Sequence, residues 1–229
     1  KLLGHEVKLT SAGRTDAGVH ASGQVVSFKS GAAFPFDRLA IAANAELSRD
    51  VSVREAHVCE TAFSARFSAI ERAYVYAIYL GQQRSALFHR FAYHVWRDVD
   101  VEKFAAGARH IIGEHDFRSF CGMLPQSGPT TRTVRFLEVQ RFGDLLRVEI
   151  RADGFLHRMV RTIVGTLTEC AVGKRDPDSI PEIIAARDRA AAGLTAPAQG
   201  LYLAGVRYED GFDSFAEPPL FRSGCLVKS

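Results

Sequence analysis

The sequence has few cysteines, and they are scattered. Cys59, Cys121, Cys170 and Cys225 form no Cys-x-x-Cys and no Cys/His pair at ligand spacing. That argues against a structural zinc and for reduced thiols in a cytoplasm. Long apolar runs are missing too: nothing approaches the roughly 18–20 residues of a membrane span, and the opening Lys1-Leu2-Leu3-Gly4-His5-Glu6 does not read as a signal peptide. There is no Walker loop, GxGxxG, HExxH or GxSxG, so several nucleotide, zinc and serine chemistries have no support. The eight histidines do not cluster, and no carboxylate pair stands out for two-acid glycoside hydrolysis. Tandem repeats, low-complexity tracts and Gly/Ser linkers are likewise absent.

Charge of one sign is also scarce. A net charge of +3 barely favours a polyanion, but the kind of cation is informative. Of the 29 basic residues, 23 are Arg, the side chain suited to bidentate phosphate contacts and to stacking on bases. A GC-rich genome would produce the same bias, so RNA binding is allowed and not required. With 229 residues the chain can bury a substantial core as one large domain or two small ones.

Hydrophobic periodicity predicts short strands at 6–9 and 24–29 on either side of a glycine-rich loop. It predicts a helix over 37–47 capped by Asp37, and a strand over 51–58. A stronger strand spans 71–80, with Tyr74, Tyr76, Ile78 and Leu80 on one face. Another strand covers 91–96, and a helix over 101–112 has Asp100 as its cap. Residues 133–142 and 145–152 read as a hairpin around Gly143-Asp144, its second arm alternating a buried face with a charged one. Helices over 155–172 and 180–192, the latter with a Ser179…Glu182 capping box, precede a final strand over 200–208. Residues 122–129 read as a loop and the tail from Gly211 as irregular. Strands in runs and hairpins suggest an α+β fold with a largely antiparallel sheet.

Three constellations could carry chemistry. The first is Gly13-Arg14-Thr15-Asp16-Ala17-Gly18-Val19-His20-Ala21-Ser22-Gly23, which sets one carboxylate among small residues, two positions after an arginine. On residue types alone this is a polar turn; an ionised Asp in such a loop is also a plausible nucleophile. The second is Arg72-Ala73-Tyr74-Val75-Tyr76, preceded by Phe63-Ser64-Ala65-Arg66-Phe67-Ser68-Ala69. Its tyrosines either pack in a core or stack on a base and relay a proton, and Arg66 between aromatics suits an RNA groove or an ordinary surface. The third is Gly154-Phe155-Leu156-His157-Arg158-Met159-Val160-Arg161, where two arginines three apart share one helix face. They are either solvated or, since cations near a helix start oppose its dipole, matched by anions, with Arg161 meeting a buried carboxylate.

Together these strings resemble the TruA-type tRNA pseudouridine synthases. Gly13-Arg14-Thr15-Asp16-Ala17-Gly18-Val19-His20 is similar to that family's signature. Support follows in order from Ala65-Arg66-Phe67-Ser68-Ala69, Arg72-Ala73-Tyr74-Val75-Tyr76, His115-Asp116-Phe117-Arg118-Ser119-Phe120, Phe155-Leu156-His157-Arg158-Met159-Val160-Arg161 and Gly200-Leu201-Tyr202-Leu203. The resemblance covers roughly residues 7–210. Ala73 stands where a second arginine is common. The family's initial strand-forming segment, of the Tyr-Asp-Gly-Thr kind, is not among these residues, so an N-terminal portion is expected upstream of Lys1.

The resemblance implies an isomerase that converts uridine to pseudouridine in the tRNA anticodon arm, at positions 38 to 40. The implied fold has two α+β halves, residues 1–95 with the catalytic loop and 96–229 completing a basic cleft, sharing one continuous sheet. A cytoplasmic homodimer needing no metal or cofactor is implied, with tRNA touching both subunits. Asp16 would be the nucleophile, Arg161 its ion-pair partner, and Tyr74 the residue that stacks on the base and helps remove the carbon-5 proton. Arg14, Arg66 and Leu201 would bind substrate with Tyr74, Arg14 entering the RNA helix as the base leaves. A truncated, non-catalytic tRNA-binding module is the alternative.

Overall fold

Tyr, Val and Ile suit a pleated, enclosed surface, and the segment in which they concentrate, Ala69–Tyr79, forms an inner strand of the larger of two sheets. A computed structural model describes residues 2–32 and 34–222. In chain order its strands are β1 (Thr10–Ser11), β2 (His20–Ala21), β3 (Val26–Ser27), β4 (Ala69–Tyr79), β5 (Tyr93–His94), β6 (Gly113–Asp116), β7 (Thr131–Phe142), β8 (Leu145–Ala152) and β9 (Leu201–Tyr208). The α-helices are α1 (Leu39–Glu46), α2 (Val101–Arg109), α3 (Met159–Ala171) and α4 (Ile180–Ala186). Cys225 lies outside the described residues; Cys59, Cys121 and Cys170 are free thiols.

The chain divides into two units. The first, Lys1–Gly13 with Val25–Ser68, holds the antiparallel pair β1–β3 and helix α1. The strand expected over 6–9 does not form there: β1 follows it at Thr10–Ser11, and β3 covers only Val26–Ser27 of the expected 24–29. The strand expected over 51–58 does not form, because the Asn44 side chain takes Val53's ladder groups: its amide donates to Val53 O (2.8 Å) and its oxygen accepts from Val53 N (2.7 Å). Asp37 does not cap α1 either; it lies inside a 3₁₀ turn, Phe36–Arg38, that leads into the helix.

The second unit, Arg14–Gln24 with Ala69–Ser229, contains the seven-stranded sheet, ordered β2-β9-β4-β8-β7-β6 with β5 beside β4. Four of its pairings are antiparallel and two, β2–β9 and β4–β5, are parallel, so the α+β, largely antiparallel architecture expected from the sequence is present. The β7–β8 hairpin turns at Gly143, whose φ of +58° suits glycine. α2 packs on α3, burying Phe104, Ile163 and Leu167 completely or nearly so. Asp100 caps α2, accepting from the Glu102 and Lys103 amides.

Three expectations fail in this unit. The charged face of β8 is not a solvent face: Arg147 and Glu149 are buried, paired with each other, while Arg147 also reaches Glu217 and Arg151 reaches Glu149. α3 begins at Met159 rather than at Phe155, with Arg158 in the left-handed region (φ 59°) and the His157 carbonyl accepting from Gly122 N at 2.8 Å. The Ser179 capping box does not form, since the hydroxyl donates to Asp176 O (2.6 Å), and α4 stops at Ala186 before left-handed Arg187.

Candidate active site

The Asp16 loop is shaped by a turn and by β9. Val19 N donates to Asp16 O (3.0 Å), closing a turn whose third residue, Gly18, has φ +83°. A turn with positive φ at that position calls for glycine. The chain then enters β2, which runs parallel to β9 with His20 opposite Tyr202. The His20 ring stacks on Tyr202 (centroids 4.8 Å apart, 23° between planes), and its Nε2 donates to Arg90 O at 2.9 Å. His20, part of the sequence signature, thus fastens the loop to the sheet.

Asp16 faces the N-terminal end of α3. Arg161, in that helix's first turn, donates from Nη1 to Asp16 Oδ2 (2.6 Å) and from Nε to Ala196 O (2.8 Å). A cation there opposes the helix dipole, whereas a carboxylate is favoured. Asp16 supplies that carboxylate. The pair is partly shielded, with side-chain exposures of 14% for Arg161 and 27% for Asp16, so solvent screens it less than a surface pair. Two more nitrogen-bearing side chains stand close: Arg158 Nε at 3.8 Å from Oδ2 and His157 Nε2 at 3.6 Å from Oδ1. One carboxylate is therefore surrounded by two arginines and an imidazole while keeping a path to solvent.

Tyr74 lies on β4 where β9 carries an extra residue, a bulge between the Ala73 and Tyr74 register positions. Bulges re-aim side chains and are common beside active sites. Its ring meets Phe155 edge-on (5.0 Å, 84°). Burial pushes its hydroxyl up to about 12; the Arg72 charge opposes the shift and the Asp16 charge adds to it, so Asp16 lies within electrostatic reach of the phenol. Tyr76, on the same face, has its hydroxyl tied off on Pro197 O at 2.6 Å. Tyr76 and Arg161 thus hold the neighbouring carbonyls of 197 and 196, which fixes the segment that aims Arg161.

Asp16 and Arg161 meet from distant stretches of the chain, and Tyr74 feels the charge of Asp16 from β4. Arg14 is exposed and forms no hydrogen bond or ion pair among the described residues. Leu201 is buried in β9 opposite Tyr76. Arg66 belongs to the first unit, its guanidinium 5.3 Å from the Phe67 ring centroid. His157 and the proximity of Arg158 to Asp16 were not singled out in the sequence; the available signal was one histidine and two arginines within five residues, 157–161. Among the described residues no group of three His, Cys, Asp or Glu side chains could hold a metal ion, and no helix is long and apolar enough to cross a membrane.

Comparison with known proteins bears on this geometry. A family model described as tRNA pseudouridine synthase matches residues 108–209. The chain is 39% identical over 204 residues to tRNA pseudouridine synthase A of Bacillus subtilis, covering 89% of this chain and 83% of that protein. The chain belongs to the tRNA pseudouridine synthase A family. The Bacillus licheniformis member of the family is 44% identical over the same share of both chains. That of Caulobacter vibrioides is 42% identical over 208 residues, 90% of this chain and 84% of its own. The family's matched stretch begins in α2 and ends just after β9, so it includes Arg161 and Leu201 and leaves Asp16 and Tyr74 outside.

Proposed function

We propose that this chain isomerises uridine to pseudouridine in the anticodon arm of tRNA, at positions 38 to 40, with Asp16 as the nucleophile. Membership of the family makes it an isomerase of tRNA uridines. The observation that carries the finer reading is the Asp16–Arg161 pair: a carboxylate, partly open to solvent, aimed by a guanidinium that is itself fixed by Ala196 O.

The reaction breaks the bond between ribose C1′ and N1, turns the base, and joins C1′ to C5; the C5 proton leaves and N1 takes one up. Nothing is oxidised and no group is imported. Asp16 adds to the substrate or assists departure of the base, and Arg161 keeps it aimed. Tyr74 is a neutral phenol at physiological pH, so it stacks on the base and accepts the C5 proton only while passing on its own. Arg14, exposed in the loop, supports the extruded nucleotide. The same reading gives a cytoplasmic homodimer whose tRNA touches both subunits.

The test is to incubate the protein with uridine-labelled tRNA and map pseudouridine by position. Wild type is expected to label the anticodon arm; Asp16→Asn should make no product and still bind tRNA. Product elsewhere in the tRNA would remove the positional assignment, and a normal rate in Asp16→Asn would remove the nucleophile.

A further inference from the structure

The far end of the Asp16 loop is held by a segment that no sequence motif marks. After β9 the chain turns back along it: Tyr208 N donates to Phe212 O (2.9 Å), Ser214 N to Val206 O (3.1 Å) and Ala216 N to Ala204 O (2.8 Å). This returning segment meets the loop's exit. Ser214 Oγ donates to Gly23 O (2.7 Å) and accepts from Val206 N (2.9 Å), while Ser22 Oγ donates to Ala216 O (2.6 Å). Ser22 N and Gly23 N both donate to Leu203 O, at 3.0 and 3.1 Å. The fit leaves no room: a Cβ on Gly23 would sit 2.0 Å from Ala204 O and 2.7 Å from Ser214 O.

The returning segment has its own anchor, and that anchor is charge. Glu217 accepts from Arg147 Nε (2.8 Å) and Nη2 (3.1 Å), and Arg147 is paired in turn with buried Glu149. Arg151, also paired with Glu149, lies 5.3 Å from the Phe136 ring centroid and 5.1 Å from that of Phe215, a residue of the segment. A sheet-embedded ion-pair network therefore fixes residues 212–217, and these fix Ser22 and Gly23.

We propose that residues 212–217 are a clamp that sets the position of the Asp16 loop, with Ser214 and Ser22 as positioning residues for catalysis. The inference rests on Asp16 being the nucleophile. β2 is only two residues long, so strand pairing alone holds the loop weakly. The serine bonds add side-chain restraint at the loop's exit, across 191 and 194 residues of sequence. A nucleophile displaced by about 1 Å loses up to roughly 100-fold in rate without any loss of substrate contacts elsewhere.

The experiment measures single-turnover pseudouridine formation, tRNA affinity and Tm for wild type, Asp16→Asn, Ser22→Ala, Ser22→Thr, Ser214→Ala and the Ser22→Ala/Ser214→Ala double variant. Ser22→Ala and Ser214→Ala should each slow turnover roughly tenfold or more with tRNA affinity unchanged. Ser22→Thr, which keeps the hydroxyl, should restore the rate, and the double variant should fall short of the product of the single effects. If Ser214→Ala does not fold, half-buried Ser22 carries the test. Wild-type turnover in Ser22→Ala, or Ser22→Thr as slow as Ser22→Ala, would overturn the clamp while an inactive Asp16→Asn left the nucleophile standing. An active Asp16→Asn would overturn both.

Discussion

Asp16 and Arg161 are 145 residues apart in sequence and 2.6 Å apart in space, and the same guanidinium grips Ala196 O at 2.8 Å. Only a planar fork with several donors makes both contacts at once. Arg161→Ala is therefore expected to lower kcat for pseudouridine formation by about 100-fold or more, the scale of losing a preorganised donor. Arg161→Lys keeps the charge and loses one of the two contacts, so it should fall between. Single-turnover assays on both variants, with tRNA affinity measured separately, check this.

The segment that holds Arg161 leans on a glycine. A Cβ on Gly165, in the middle of α3, would lie 1.8 Å from Leu194 O and 3.2 Å from Ala196 N. Gly165→Ala should push 194–196 outward, costing about 1–3 kcal/mol of stability by overpacking. It should also reduce kcat, since the Ala196 carbonyl moves with it. Denaturant unfolding and a turnover assay on the same preparation test both halves.

Buried tyrosines give the protein an alkaline limit. Burial raises the hydroxyls of Tyr74 (to about 12), Tyr76, Tyr202 and Tyr208, whereas in the unfolded chain they ionise near pH 10. Between those values the unfolded state has released protons that the folded state retains, so stability falls as pH rises through this window. Tyr74 alone accounts for a loss of about 2 kcal/mol by pH 12. Urea unfolding from pH 9 to 12 should show the decline, and Tyr74→Phe should make it shallower.

The buried charges of β8 predict an asymmetric response. Removing one partner strands the others: Glu149→Gln leaves Arg147 buried with Glu217 alone and is expected to cost about 3 kcal/mol or more. Replacing exposed Lys103, which lies 3.9 Å from exposed Asp100, should cost less than about 1 kcal/mol. Chemical denaturation of the two single variants separates the cases.

Much of the larger unit was legible in the sequence. β4, the β7–β8 hairpin, α2 with its Asp100 cap, and β9 follow from period-2 and period-3.6 patterns that agree with the packing the chain finds. The errors share a cause. Val53 was given to a strand because alternation cannot register that Asn44 would take its backbone groups. Phe155 was given to a helix because periodicity cannot register that Gly122 would take the His157 carbonyl. Alternation marks the charged face of β8 but cannot show that it is buried, because one partner, Glu217, lies 70 residues beyond Arg147.

The sequence by itself determined which groups are available: one carboxylate in a loop of small residues, a tyrosine on a strand, and arginines ahead of an apolar helix. Resemblance to a known family assigned them to one site. Only the tertiary structure decided that Arg161 reaches Asp16 from the first turn of a helix beginning four residues later than expected. It also decided that Arg158 and His157 stand beside that carboxylate, and that Ser22 and Ser214 tie the loop to the returning chain. The reason is physical: local patterns record what a segment can do with its neighbours in sequence, whereas a hydrogen bond across 145 residues exists only once the sheet has brought its ends together.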